Sequence, residues 1–162
     1  MERGGDRMGY AFISYSSRNY EDALAMRSAL MHRGVKTWMA PGDIPAGTTY
    51  AGVITRAIKG AECMVLLLTD DSQNSKWVDK EVERALSYDR TVIPVALDNL
   101  ALNDNFEFYL GNQQIVPVKQ ISDDNDEFLR IVEQIVKLTG GLLEWWHDPG
   151  VPLAFPVESA SS

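Results

Sequence analysis

Residues 75–86, S-K-W-V-D-K-E-V-E-R-A-L, carry an aromatic ring and a carboxylate at a spacing that could do chemistry. Ser75 is a good helix N-cap, and an apolar stripe of helical period follows it, which predicts an amphipathic helix. Trp77 and Glu81 are four residues apart, so they project one above the other beside that stripe. Either the pair forms a site, or Glu81 is a solvated charge beside a tryptophan that packs on the domain edge.

The elements that must position this pair alternate between strand-like and helix-like patterns from residue 10 to about residue 139. The predicted strands are residues 10–15, 34–39, 62–69, 91–97 and 114–118. The predicted helices begin near Asn19, Tyr50, Ser75 and Ser122. This alternation predicts an α/β fold: a flavodoxin-like, three-layer architecture with a five-stranded parallel sheet of order 2-1-3-4-5 and helices on both faces. Pro94 and Pro117 suggest that the fourth and fifth strands are short or irregular.

Composition limits the classes of function. The chain has 162 residues and a formal net charge of −8, which argues against binding to a nucleic-acid backbone. Cys63 is the single cysteine, so no disulfide framework is expected, and neither a signal peptide nor an apolar run of about 18 residues is present. These features predict a cytoplasmic domain at residues 9–140, between a disordered N-terminus, residues 1–8, and a C-terminal tail or linker, residues 141–162.

A fold of this order binds ligands outside the carboxyl ends of strands 1 and 3, where the Trp77 and Glu81 helix begins. A phosphoacceptor receiver domain would use Asp70 or Asp71 with Lys119, but the end of strand 1 lacks the carboxylates that hold Mg²⁺ there, and we reject this alternative. A flavodoxin, with the serine-rich turn at residues 14–17 cradling a phosphate, stays open.

Three motifs carry a more specific resemblance. The stretch Y-A-F-I-S-Y-S-S-R-N resembles the first box of the Toll/interleukin-1 receptor (TIR) domain family, and W-M-A-P-G-D-I-P-A-G resembles its second-box loop. The stretch W-V-D-K-E is similar to the W-x-x-x-E motif of the family's enzymatic, NAD⁺-cleaving branch, and the surrounding segments look most like bacterial members. The resemblance covers residues 9 to about 139, and the third-box F-W pair has no good equivalent.

The resemblance implies cleavage of NAD⁺ at the nicotinamide–ribose bond, by hydrolysis or by cyclisation to a cyclic ADP-ribose isomer. An ordinary glycosidase needs two carboxylates. The pyridinium of NAD⁺ leaves as neutral nicotinamide, so one carboxylate, Glu81, can suffice by stabilising the oxocarbenium charge. NAD⁺ is then the substrate, and no cofactor or metal is expected. The implied substrate-binding residues are Ser14, Tyr15, Ser16, Trp38, Asp43 and Trp77. For Asp43, capping its own loop is the favoured role, and Asp79 and Glu83 are expected to be solvated.

The second-box loop implies partners. In TIR families this loop docks onto a neighbouring copy, and Ile44 is predicted to be an exposed apolar tip that makes the contact. The implied assembly residues are Pro41, Gly42, Asp43, Ile44 and Pro45. The expected role is bacterial anti-phage defence signalling, active on self-assembly into filaments and coupled to a sensor domain or effector, with no nucleic-acid or membrane partner. The alternative is a non-enzymatic TIR scaffold, adaptor or virulence mimic that acts by homotypic binding.

Overall fold

The computed structural model describes residues 9–141. The predicted disordered N-terminus, residues 1–8, and all but the first residue of the predicted tail therefore lie outside the described residues. The strands are β1 (Tyr10–Ser14), β2 (Lys36–Trp38), β3 (Cys63–Leu68) and β4 (Thr91–Ala96). The helices are a 3-10 turn (Ser17–Asn19), α1 (Tyr20–Met31), α2 (Tyr50–Gly60), α3 (Asp70–Gln73), α4 (Lys76–Ser87), α5 (Asp104–Leu110) and α6 (Asp126–Thr139).

The sheet confirms the predicted α/β class and the order of its first four strands. All neighbours are parallel, and the order within the described residues is β2-β1-β3-β4. The predicted fifth strand, residues 114–118, is wrong as a strand: only an isolated parallel bridge joins Pro117 to Ala96. Pro117 has no amide proton to donate to a ladder, which explains why pairing does not extend through it.

The expectation that Pro94 makes the fourth strand short or irregular is also wrong, because β4 pairs with β3 over six consecutive residues. The amide of Val118 donates to the carbonyl of Ala96 at 2.7 Å, so the peptide groups of Ala96 face the outer edge of the sheet. Peptide groups alternate along a strand, and Pro94 therefore faces the same outer edge, where its missing amide proton costs no ladder bond.

Two apolar clusters cover the two faces of the sheet, and the strand alternation assigns each side chain to one of them. Along β1, Ala11 and Ile13 belong to the cluster that includes α1 and α6, whereas Phe12 belongs to the cluster that includes α2, α4 and α5. Side chains two residues apart on a strand share a face. Ser14 therefore points toward α4, and this is how the sequence brings the end of strand 1 to the helix of interest.

Helix boundaries follow local capping. The Ser75 hydroxyl accepts from the Val78 amide at 3.2 Å, which begins α4 as predicted. The last helix begins later than predicted, because Asn125 rather than Ser122 caps it, and it ends at Gly140 with a φ of 76° that favours glycine. The short helices α3 and α5 were not predicted. Within residues 9–141 no helix has the length and apolarity needed to cross a membrane.

Candidate active site

A cleft opens at the carboxyl end of β1, between α2 and α4. Its volume is about 180 Å³. It lies outside the carboxyl ends of the strands, which is where α/β folds bind ligands and where the strand order predicts a site. The wall combines the end of β1, the segment after β2, the start of α2 and the first turns of α4, and its residues are Ile13, Tyr15, Ser17, Ala40, Pro41, Tyr50, Ile54, Ser75, Trp77 and Glu81.

Glu81 is the buried carboxylate of this cleft, with a relative exposure of 8%. The hydroxyl of Ser14, itself buried, donates to Glu81 Oε1 at 2.7 Å, and this is the side-chain hydrogen bond that holds the carboxylate. Burial penalises the charged form and raises the pKa of Glu81 to about 7, while the bond from Ser14 lowers it. The alternative of a solvated surface glutamate is therefore wrong.

A carboxylate with these surroundings favours a cationic partner. Its charge is removed from water, and one hydroxyl compensates it only in part. A positive group that enters the cleft lowers the cost of ionising Glu81, because an opposite charge within a few ångströms favours the charged form. The arrangement can therefore bind a cation, or stabilise positive charge that develops on a bound molecule.

Two aromatic rings stand at the mouth of the cleft. Trp77 is 49% exposed. It contacts Tyr50 in an edge-to-face arrangement, with 5.4 Å between the ring centroids. The motifs in the sequence do not indicate Tyr50, which lines the cleft beside Trp77. Its place at the first turn of α2, directly after the second-box loop, is the signal that could have indicated it. The Lys80 ammonium lies over the Trp77 ring, 6.0 Å from its centroid, so a flat, positively charged ligand would have to displace it or use the remaining exposed ring surface.

Tyr15 lines the cleft, and its hydroxyl donates to the backbone of the loop and not to Glu81. The hydroxyl donates to the carbonyl of Ala40, at the start of the second-box loop. Burial, followed by the neighbouring Tyr20, Tyr50 and Glu81, raises the pKa of Tyr15 to about 12. Tyr15 therefore remains a protonated hydrogen-bond donor at neutral pH.

Other predicted substrate residues lie outside the cleft lining, and their roles in binding stay predictions. The Ser16 hydroxyl accepts from the Arg18 amide at 3.2 Å and caps the 3-10 turn. Trp38 stacks on Phe12 at a centroid distance of 5.1 Å and packs against the cluster on the α2 and α4 face. Asp43 is exposed, and its carboxylate accepts from the Met39 amide at 2.8 Å, which is the loop-capping role that the sequence favoured.

The second-box loop, residues 40–49, differs from expectation at one point. Ile44 is not an exposed tip: it is half-buried and packs against the cluster on the α2 and α4 face. Isoleucine is large and apolar, so the loop folds it back onto the domain instead of leaving it in water. Pro41, Gly42, Asp43 and Pro45 are exposed, and they form the outer surface of the loop.

Asp79, on the opposite side of α4 from Trp77, is not simply solvated. Its carboxylate accepts from the Tyr109 hydroxyl at 2.7 Å and from the Asn105 amide at 2.6 Å, and both donors lie on α5. Burial and this bond to Asp79 raise the pKa of Tyr109. Asp79 thus joins the outer face of α4 to α5. Among the described residues, no group of three or more His, Cys, Asp or Glu side chains could hold a metal ion.

Comparison with known structures shows what this chain resembles. The TIR domain of the Toll-related receptor TRR-2 from Hydra magnipapillata matches with a TM-score of 0.66 at 18% identity, over 78% of this chain and 97% of that one. The TIR domains of the activated Roq1 resistosome match with a TM-score of 0.50 at 18% identity, over 94% and 97%. A metazoan TIR-STING receptor from C. gigas matches with a TM-score of 0.60 at 19% identity, over 83% of this chain and 42% of the receptor.

These structural matches show the fold. A comparison with curated proteins found no significant match. The family model described as "TIR domain" matches residues 11–132, which is more than half of the chain and includes both the β1 motif and the α4 pair. The chain therefore belongs to the TIR domain family.

Proposed function

We propose that this TIR domain is an NAD⁺ nucleosidase that cleaves the nicotinamide–ribose bond, as the bacterial enzymatic branch of the family does. The observation that carries the proposal is the buried carboxylate of Glu81, held by Ser14 in a cleft whose mouth is aromatic. A carboxylate that is buried in a cleft and has a raised pKa is typical of functional sites, because such a group interacts strongly with positive charge.

The chemistry assigns a role to each part of the cleft. The nicotinamide ring of NAD⁺ is a cation, and the faces of Trp77 and Tyr50 attract it. As the glycosidic bond breaks, positive charge moves to the ribose, and the Glu81 carboxylate stabilises it in surroundings where little water screens the interaction. Nicotinamide leaves as a neutral molecule, so the cleft requires no general acid. Water or a group of the same nucleotide then attacks the ribose.

The size of the cleft supports an assembly-dependent enzyme. Its volume of about 180 Å³ is below the roughly 300–1,000 Å³ of ordinary ligand pockets. A dinucleotide therefore needs a wider cleft or a second wall. In our proposal a second copy of the domain supplies that wall through the exposed part of the 40–49 loop. The similar Roq1 structure is itself an activated resistosome. The proposed setting is cytoplasmic, in bacterial anti-phage signalling.

The test is nicotinamide release from NAD⁺, followed by chromatography from nanomolar to high micromolar protein. We expect the activity per molecule to rise with protein concentration. Gly42→Arg should abolish the rise without unfolding the domain, because Gly42 is exposed and an added Cβ meets no atom within 4 Å. Ser28→Arg, at an exposed position of α1, is the control: it adds the same charge away from the loop and should leave the activity and its rise with concentration unchanged. Flat specific activity would contradict the assembly step. No release at any concentration would favour the alternative of a non-enzymatic scaffold or virulence mimic.

A further inference from the structure

Besides backbone hydrogen bonds, three side-chain contacts tie the 40–49 loop to the rest of the described domain, and one of them comes from the cleft. The Asp43 carboxylate accepts from the Met39 amide at the base of the loop, and Ile44 packs against the core. The third tie is the bond from the Tyr15 hydroxyl to the carbonyl of Ala40. Tyr15 is therefore the residue that lines the cleft and also holds the loop.

This bond uses the one proton that the Tyr15 hydroxyl could donate to a substrate. A phenol has one proton to donate, and here the Ala40 carbonyl receives it. The high pKa keeps that proton on the hydroxyl at neutral pH, so Tyr15 cannot act as a base. What the hydroxyl does, on this geometry, is fix the position of the backbone at Ala40.

Ala40 and Pro41 form the wall of the cleft that comes from the loop, and Glu81 and Trp77 of α4 line the same cleft. Because Tyr15 directly follows β1, its bond fixes the Ala40 backbone relative to the end of this strand. Ala40 and Glu81 line the same cleft, so the bond also bears on the width of the cleft. The other two ties act elsewhere: Asp43 closes a turn inside the loop, and Ile44 enters the cluster below it. Removing the Tyr15 hydroxyl would therefore release the wall but leave the loop attached.

We propose that Tyr15 is a positioning residue that latches the 40–49 loop through Ala40, keeps the cleft narrow in the single chain, and must let go before a dinucleotide can enter fully. Tyr15 then acts on the substrate through the loop and not as a substrate ligand. The consequence for catalysis rests on the proposed function, whereas the latch itself does not.

Tyr15→Phe tests the latch because it keeps the ring and removes the hydrogen bond. The amides of Asp43 and Ile44 donate to the Met39 and Pro41 carbonyls and are therefore protected from exchange. Hydrogen–deuterium exchange, without NAD⁺, should show these two amides exchanging about fivefold faster in this variant, as expected for the loss of one tethering bond. Tyr10→Phe is the matched control. The Tyr10 hydroxyl donates to the Ala57 carbonyl at 2.5 Å from the other end of β1, so this variant loses a similar bond and should leave loop exchange unchanged.

The kinetic arm measures nicotinamide release at a fixed high protein concentration. The latch predicts that Tyr15→Phe lowers KM for NAD⁺ by about threefold or more and leaves kcat nearly unchanged, because the wall opens while Glu81 is untouched. Unchanged loop exchange would overturn the latch. An unchanged or raised KM would overturn the claim that the latch narrows the cleft. A wild-type protein that releases no nicotinamide would refute the proposed function, and exchange alone would then decide whether Tyr15 holds the loop.

Discussion

Two carboxylates on α4, Asp79 and Glu81, differ in their burial and in the hydrogen bonds that they accept. Asp79 lies on the outer side of the helix and accepts hydrogen bonds from Tyr109 and Asn105 of α5. Glu81 lies on the inner side, is almost fully buried, and has Ser14 as its side-chain donor. Asp79 is well compensated and joins two helices. Glu81 is compensated poorly, and this is the condition in which a carboxylate interacts strongly with a positive charge that arrives from outside.

Within one helix, Asp79 contributes to stability, whereas Glu81 lowers stability and has the surroundings of a functional group. A well-compensated carboxylate stabilises the fold at neutral pH, whereas a buried and poorly compensated one destabilises it whenever it is ionised. Sites that keep such a group carry a stability cost, which is common where activity needs a strained or desolvated residue. If Glu81 is functional, replacing it should stabilise the protein, and replacing Asp79 should do the reverse.

The largest effect on stability is expected from Glu81→Gln. Burial raises the pKa of Glu81 from 4.5 to about 7, so the folded state holds this proton more tightly than the unfolded state. The side chain therefore costs nothing below about pH 4.5. Between about pH 4.5 and 7 the unfolded state releases this proton while the folded state keeps it, so the fold loses stability across this range and the loss is nearly complete above 7. At about 1.4 kcal/mol per pKa unit, Glu81→Gln should add about 3 kcal/mol at pH 8 and nothing near pH 4.

Denaturant unfolding of the wild type and of Glu81→Gln at the two pH values measures this difference. A variant that is less stable than the wild type at pH 8 would show that Glu81 is a structural charge, like Asp79, and would remove the contrast between the two faces of α4.

A smaller effect of opposite sign is expected from Asp79→Ala. The change removes the acceptor of two hydrogen bonds and leaves the Tyr109 hydroxyl and the Asn105 amide without this partner. Because Asp79 is partly exposed, we expect a loss of about 1–2 kcal/mol at pH 7, measured as a lower denaturant midpoint with an unchanged slope. Tyr109→Phe should account for part of that loss. Equal stability of Asp79→Ala and wild type would mean that α5 does not hold α4 through this carboxylate.

The contrast also helps to explain which features the sequence could indicate. The order of four strands, the α4 cap at Ser75 and the meeting of Ser14 with α4 follow from periodicity, capping and strand alternation, which are local or topological rules. The residues that line the second-box side of the cleft do not follow from such rules. Ile44 turns inward and Tyr50 meets Trp77 because of how an irregular loop closes in space, and periodicity carries no information about that path.

The predictions for Pro94 and for the fifth strand are wrong for a related reason. A proline inside a strand pattern indicates an edge or a break, and the sequence does not say which. Pro94 is an edge proline in a regular strand, whereas Pro117 leaves its segment with one bridge. Which of the two outcomes applies depends on the direction in which each peptide group faces, and that is set by the neighbouring strand.

The smallest expected effect comes from removing the hydrogen bond that Ser14 donates to Glu81. The hydrogen bond from Ser14 lowers the pKa of Glu81, so Ser14→Ala should raise it further. Wild-type kcat/KM for NAD⁺ should rise with pH through about 7, as Glu81 ionises, and the rise should move to higher pH in Ser14→Ala. Activity at pH 7 should then fall several-fold and recover near pH 9. A fall of equal size at every pH would mean that Ser14 acts on the substrate and not on Glu81.

In our proposal the ionised carboxylate of Glu81 stabilises the positive charge that develops on the ribose as NAD⁺ is cleaved, and nicotinamide release by Glu81→Gln at pH 8 tests this role most directly. The amide keeps the shape of the side chain and can still accept from Ser14, but it carries no charge, so the release rate should fall at least about a hundredfold. Glu83→Gln, at an exposed position on the same helix, removes a charge in the same way and should retain nearly full activity. A folded Glu81→Gln protein that releases nicotinamide at the wild-type rate would contradict the account.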